Sequence, residues 1–241
     1  MNLSTVAGMR SEIFVPVTPK PVFTELNKPL SECKVAFITA GGIHRKDQTP
    51  FNTSGDFSYR AISFDTPSSE LMVTHGGFDN SDINKDVNAM FPIDRLHELV
   101  KEGFIGSLAD ETYTFMGGGG NVQKFVEETG PEIARKLKEQ GTDIVVCTGG
   151  CGTCHRSATI VTRSCEEAGM SCVVIAALPP IARQQGAPRI TAPHVPIGSN
   201  AGEPNNIEQQ TNILKDSLQW IVDCPSYNGT KILPYEYRHN V

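Results

Sequence analysis

Two apolar runs set the architecture of this chain. Asp143-Ile144-Val145-Val146-Cys147 and Cys172-Val173-Val174-Ile175-Ala176 flank a helical stretch, Ser157 to Ala168, that stops at Gly169. Short continuous apolar runs are strands covered on both faces. A helix between two of them makes a right-handed crossover, so the sheet is parallel. The expected fold class is therefore α/β, with mostly parallel strands flanked by helices. In such sheets ligands gather beyond the carboxyl ends of the strands. At that end of the first run the chain reads Cys147-Thr148-Gly149-Gly150-Cys151-Gly152-Thr153-Cys154-His155-Arg156, with three cysteines in eight residues. Small residues let the backbone turn and leave the sulfurs uncovered. A helix starting near His155 would aim its N–H groups and positive dipole end at Cys151 and Cys154, favouring a thiolate.

The chain has 241 residues, enough for one large α/β domain or two small ones. At this length roughly 70–75% of the unfolded surface is buried on folding, so no covalent staples are needed. A formal net charge of −6, with no Lys/Arg cluster, excludes a nucleic-acid surface. No apolar run approaches the roughly 18 residues of a membrane span. Met1 to Arg10 lacks a basic region leading into a long apolar core, so the expected location is the cytoplasm. Seven cysteines in such a chain argue against a disulfide framework and for redox or metal use of the 147/151/154 group.

Residues 1–32 are proline-rich with little periodicity and are expected to form an extended arm; the α/β domain follows over 33–241, with a possible sub-division near 140. Strands are predicted at 33–39, 61–64, 71–74 and 112–116, and helices at 93–103, 121–140 (broken at Pro131) and 207–222. The segment 177–206 reads as a long loop with a short helix, and the tail 224–241 as irregular. Loops 40–51, 75–86 and 117–120 each follow a strand and belong at the same edge as the cysteine turn. His44 lies in the first. His75, Asp79, Asp82 and Asp86 lie in the second, but their spacing matches neither an EF-hand nor a zinc motif, so a hydrogen-bonded loop beside the site is expected. His97 is expected to pack or cap. The glycine loop 117–120 lacks the nucleotide-binding patterns.

From residues alone the cysteine turn has three readings. Cys151 and Cys154 form a C-x-x-C redox pair, one attacking and the other resolving the mixed species. Alternatively Cys147, Cys151, Cys154 and His155 hold zinc or an iron–sulfur cluster, making the chain a metal-binding or electron-transfer module. The third reading has the cysteines fill space.

The run 147–156 resembles the selenocysteine site of the small selenoprotein subunits of D-proline reductases. The likeness extends to Thr39-Ala40-Gly41-Gly42-Ile43-His44-Arg45-Lys46-Asp47-Gln48, Asp82-Ile83-Asn84-Lys85-Asp86-Val87-Asn88, Phe91-Pro92-Ile93-Asp94-Arg95-Leu96 and Gly106-Ser107-Leu108. Those segments also resemble the selenoprotein B components of glycine, sarcosine and betaine reductases. It covers about residues 33–176. Position 151 is selenocysteine in that family and Cys in this sequence. The resemblance implies an oxidoreductase subunit of amino-acid fermentation (Stickland reaction) that opens the D-proline ring to 5-aminopentanoate. It implies Cys151 as nucleophile, read as a selenol, and Cys154 as resolving thiol. It also implies companion subunits from a cleaved proprotein, one bearing a pyruvoyl group, and an electron-donor protein. No cofactor or metal is assigned to this chain. Supporting roles fall by adjacency to His155 (leaving-group protonation or anion stabilisation), Arg156 (substrate carboxylate), Cys147 (second resolving thiol), His44 and Asp79. The alternative within the resemblance is a selenoprotein B component, although such chains are typically much longer.

Overall fold

The computed structural model describes residues 22–117 and 122–238. A short 3-10 turn at Leu30–Glu32 precedes β1 (Lys34–Thr39), β2 (Ile43–Arg45), β3 (Tyr59–Ser63) and β4 (Leu71–Val73). Next come α1 (Ser81–Lys85), α2 (Ile93–Lys101), β5 (Ser107–Leu108) and β6 (Glu111–Phe115). A π-helical turn, Phe125–Thr129, leads into α3 (Gly130–Glu139), and β7 (Ile144–Thr148), α4 (Gly152–Glu167) and β8 (Ser171–Ile175) follow. The chain continues through α5 (Pro179–Gln185), β9 (Arg189–His194), α6 (Ile207–Asp223) and β10 (Gly229–Glu236).

The main sheet has the order β10-β9-β8-β7-β1-β6-β3, with β5 beside the start of β1. Every pairing is parallel except that of β3 with β6. The expected α/β class with a mostly parallel, helix-flanked sheet is what the molecule has. Every residue of β7 and β8 is buried, as continuous apolar runs require. Helix α4 packs against both strands and between α3 and α5, while α6 packs with α2 and against β8 and β9. A separate antiparallel ribbon pairs β2 with β4. It delivers residues 74–80 to the carboxyl edge of the main sheet.

Several expectations are corrected. The tail is not irregular, because β10 pairs in parallel with β9. Pro234 concealed it, and the register shifts between Ile232 and Glu236, as an edge strand tolerates. The 177–206 loop likewise hides β9, which contains Pro193. Helix α4 begins at Gly152, ahead of the start expected between His155 and Ser157, so Cys154 lies in its first turn. The helical segment expected to break at Pro131 does restart there, a π-helical turn over Phe125–Thr129 giving way to α3 with Pro131 in its first turn. His97 bonds the Phe64 carbonyl through Nε2 at 2.7 Å, in line with the capping role. The expected arm lies largely outside the described residues, as do positions 118–120 of the glycine loop.

Phe23 and Thr24 are pinned by a buried ion pair. Arg189 Nη1 meets Glu166 Oε1 at 2.6 Å, both side chains 1% exposed. Arg189 Nη2 donates to the Thr24 carbonyl at 2.6 Å, and the guanidinium stacks over Phe23 at 3.9 Å. Glu166 Oε1 also accepts the Cys172 N–H at 2.8 Å. This knot ties residues 23–24, α4, β8 and β9 together. Removing one partner strands the other charge in the core. Arg189→Ala is therefore expected to cost roughly 3–5 kcal/mol in chemical denaturation, and an apolar double replacement of Glu166 and Arg189 less.

Candidate active site

Strand β7 ends against β1, and Thr148 Oγ1 bonds both Thr39 Oγ1 (2.8 Å) and the Met90 carbonyl (2.9 Å). From this anchored end the chain turns through Gly149 and Gly150 into α4, with Cys151 as N-cap residue. The turn is held from behind by fully buried Asn200, whose Nδ2 donates to the Gly149 carbonyl at 2.8 Å and the Ile175 carbonyl at 3.4 Å. Glycine is required here by close approach. A Cβ at Gly149 would meet His155 at 2.8 Å, and one at Gly150 would meet the Phe78 ring at 2.5 Å.

Cys151 is half-buried and Cys154, one helical turn on, is 1% exposed. Their sulfurs lie 3.0 Å apart. Cys154 Sγ also reaches the Met116 carbonyl at 3.2 Å. Beside Met116, Gly117 (φ 86°) leaves no space for a side chain, since an added Cβ would sit 2.6 Å from Cys154 Sγ. From the ribbon side comes His75, whose Nε2 is 2.9 Å from Cys154 Sγ. The Gly77 N–H donates to Nδ1 of the same ring at 2.9 Å. The ring stacks obliquely on Phe78 with centroids 4.4 Å apart.

This arrangement splits the two thiols. Cys151 is drawn down from the ordinary thiol value to about 4. The Cys154 thiol donating to it is the main cause; burial opposes this, and His75 and the Cys154 backbone N–H add to the lowering. Cys154 is pushed far up, mainly by burial and then by the neighbouring anion. The pair is thus a half-buried thiolate at a helix N-terminus and a buried, protonated thiol behind it.

The other sequence candidates lie around this pair. Cys147 is fully buried, its Sγ 3.9 Å from the Ala158 carbonyl, and burial raises its thiol strongly. His155 is fully buried, with Nδ1 on the Cys151 carbonyl (2.9 Å) and Nε2 accepting the Leu178 N–H (3.2 Å). Burial lowers its basicity, so it holds the turn as a neutral ring. Arg156 is buried, with Nη2 on Thr153 Oγ1 at 3.2 Å, and desolvation lowers its pKa. His44 is buried between the Arg45 carbonyl and Thr74 Oγ1. Asp79 is exposed and accepts from Ser81 N and Oγ.

The ligand set Cys147/Cys151/Cys154/His155 is not brought together. The convergent set is His75, Cys151 and Cys154, whose ligand atoms lie within 4.8 Å of one another. Its donor chemistry is unfavourable for a metal. With Gly77 N–H on Nδ1, a neutral ring carries its proton on Nε2, the atom a metal would need bare.

His75, Phe78, Met116 and Asn200 are the contributors that the sequence reading did not assign to the site. For His75 the available signal was its place after a strand at the shared edge, followed by two glycines.

Cysteines other than 151 are buried, so alkylation reports on Cys151. A lowered pKa keeps the anion present as acid is added. Its alkylation rate is expected to stay level through the neutral range and fall only as the pH approaches about 4. Cys154→Ala removes the main donor and is expected to move that midpoint upward toward the ordinary thiol value of about 8.5, read by mass spectrometry across a pH series.

Among the described residues no helix is long and apolar enough to cross a membrane. No solved structure matches the chain. Sequence comparison gives a D-proline reductase subunit gamma of Acetoanaerobium sticklandii, 56% identical over 236 residues and covering 98% of each chain. A glycine reductase complex component B subunit gamma of Carboxydothermus hydrogenoformans is 32% identical over 224 residues, 88% of this chain and 51% of that one. A sarcosine reductase complex component B subunit beta of Peptoclostridium acidaminophilum is 32% identical over 212 residues, 83% of this chain and 48% of that one. The chain therefore spans nearly all of the first relative and about half of the other two. The model of the glycine/sarcosine/betaine reductase selenoprotein B family matches residues 7–150, up to the residue before Cys151. With strand, turn and cysteine pair in place behind that match, the chain belongs to the glycine/sarcosine/betaine reductase selenoprotein B family.

Proposed function

We propose that this chain is the selenoprotein-type subunit of a cytoplasmic D-proline reductase, cleaving the ring C–N bond of D-proline to give 5-aminopentanoate. The observation that carries the reading is the asymmetry of the pair, an anion at 151 backed by a buried neutral thiol 3.0 Å away. Similarity to a D-proline reductase subunit gamma over 98% of both chains supports the substrate.

Selenium at position 151, as the family carries it, supplies a stronger nucleophile and a better leaving group at neutral pH. The position is half-buried, so the chalcogen is reachable from solvent. A carbonyl group of pyruvoyl type on a companion subunit, from a cleaved proprotein, makes the substrate nitrogen a better leaving group. This chain's part is to present the nucleophile and to resolve it. The chalcogen at 151 attacks the substrate Cα; the bond to carbon forms, the C–N bond breaks, and nitrogen takes a proton. Cys154 then attacks the chalcogen. The bond between residues 151 and 154 forms, the electron pair returns to carbon, and carbon takes a proton. Two electrons have passed from the pair to the substrate, and an electron-donor protein restores the reduced pair.

The open side of Cys151 suits a division of labour in which the companion subunit covers the reacting carbon. Among the supporting candidates, His155 acts by fixing the Cys151 backbone, and Arg156 by holding Thr153 in the first turn of α4.

In the assembled enzyme, Cys154→Ala is expected to allow one event per site and then stop, with substrate carbon attached at 151 and visible by mass spectrometry. Unchanged repeated turnover would exclude the resolving role. The isolated chain is expected to leave D-proline intact; reduction without a carbonyl-bearing companion would refute the division of labour. Selenocysteine at 151 is expected to raise turnover without changing the fold, compared by rate and circular dichroism.

A further inference from the structure

Once carbon is bonded to residue 151, Cys154 loses the acceptor that held its proton. The Met116 carbonyl at 3.2 Å remains, and a carbonyl accepts a hydrogen bond without taking the proton. The Cys154 sulfur is 1% exposed, so water does little to stabilise an anion there. Yet the thiolate is the attacking species in the resolving step. Besides Cys151, the side chain that hydrogen-bonds Cys154 among the described residues is His75, through Nε2 at 2.9 Å. Its Nδ1 is occupied by the Gly77 N–H, which leaves the ring's proton on Nε2, and Phe78 shields the ring on one side. The histidine therefore meets the sulfur as a donor with a fixed direction.

We infer that His75 is the positioning residue of the resolving step, its Nε2–H stabilising the Cys154 sulfur as that sulfur sheds its proton and attacks the chalcogen at 151. The inference rests on Cys154 being the resolving thiol. The proton lost by Cys154 balances the proton gained by the departing carbon. His75 changes neither the bonds formed nor the electron count. It acts on a thiol that burial otherwise keeps neutral, and so on the second step more than on the first.

The Cys151 chain treated with 5,5′-dithiobis(2-nitrobenzoate) separates the two steps without substrate or companion subunit. In the first phase Cys151 forms a mixed disulfide and releases one thionitrobenzoate. In the second, Cys154 displaces the other, with its proton passing to solvent. His75→Met and His75→Gln are close in volume and differ in the N–H donor. His75→Met is expected to slow the second phase roughly 10- to 100-fold, the range for losing a hydrogen bond to a charged group. His75 also helps to lower Cys151, but with that group held at about 4 it stays ionised at neutral pH, so the first phase is expected there to stay within about threefold, and the pH midpoint of the second phase to rise. His75→Gln should recover most of the rate. If His75→Met does not fold, His75→Ala with added imidazole carries the same comparison, and rescue of the second phase alone is expected. Equal losses in both phases, or no loss in the second, overturns the inference. A single thionitrobenzoate from the unaltered chain overturns the resolving-thiol reading and the inference with it.

Discussion

The hydrogen bond between Cys154 and Cys151 decides what the surrounding structure is for. Two sulfurs 3.0 Å apart and not bonded to each other are comfortable when one carries the shared proton and the other does not. Burial selects which. Cys154 lies under the loop of Met116 and Gly117 and stays protonated, while Cys151 sits half-open at the N-cap of α4 and carries the charge. Helix dipole, thiol donor and histidine donor then act in one direction along the line His75, Cys154, Cys151.

That line is short, so its supports are rigid. Thr39 and Thr148 couple the ends of two neighbouring parallel strands, and Asn200 clamps the turn from a segment fifty residues away in sequence. The loop that brings His75 is fixed at its far end as well. Asp82 accepts from Ser199 Oγ at 2.6 Å and Tyr237 at 2.7 Å, and Asp86 accepts from Gln210 Nε2 at 2.7 Å. These carboxylates belong to the run expected to form a hydrogen-bonded loop, and their oxygens are spent on holding it. For both, burial works to raise the pKa and the hydrogen bonds outweigh it, leaving them ionised at neutral pH.

Much of the scaffold was readable because its signals are local. The apolar runs read at 143–147 and 172–176 fall within one residue of the buried strands 144–148 and 171–175, and Gly169 marks the helix stop between them. β9 and β10 escaped because Pro193 and Pro234 speak against a strand when read locally. Partners on either side of β9, and an edge position for β10, make them strands nonetheless. The early start of α4 has a local cause too: Gly152 and Thr153 are poor helix formers, so propensity read along the chain places the start later.

The residues by themselves determined that the chain is an α/β protein, that three cysteines gather at a strand end, and that Cys151 and Cys154 are one turn apart. Those are matters of period and spacing. Tertiary structure alone decided that Cys147 and His155 face away, that His75 faces in, and which thiol keeps the proton. The first follows from burial, and the other two from Met116 and His75, 38 and 79 residues distant, meeting Cys154 within about 3 Å; no local pattern records such a meeting.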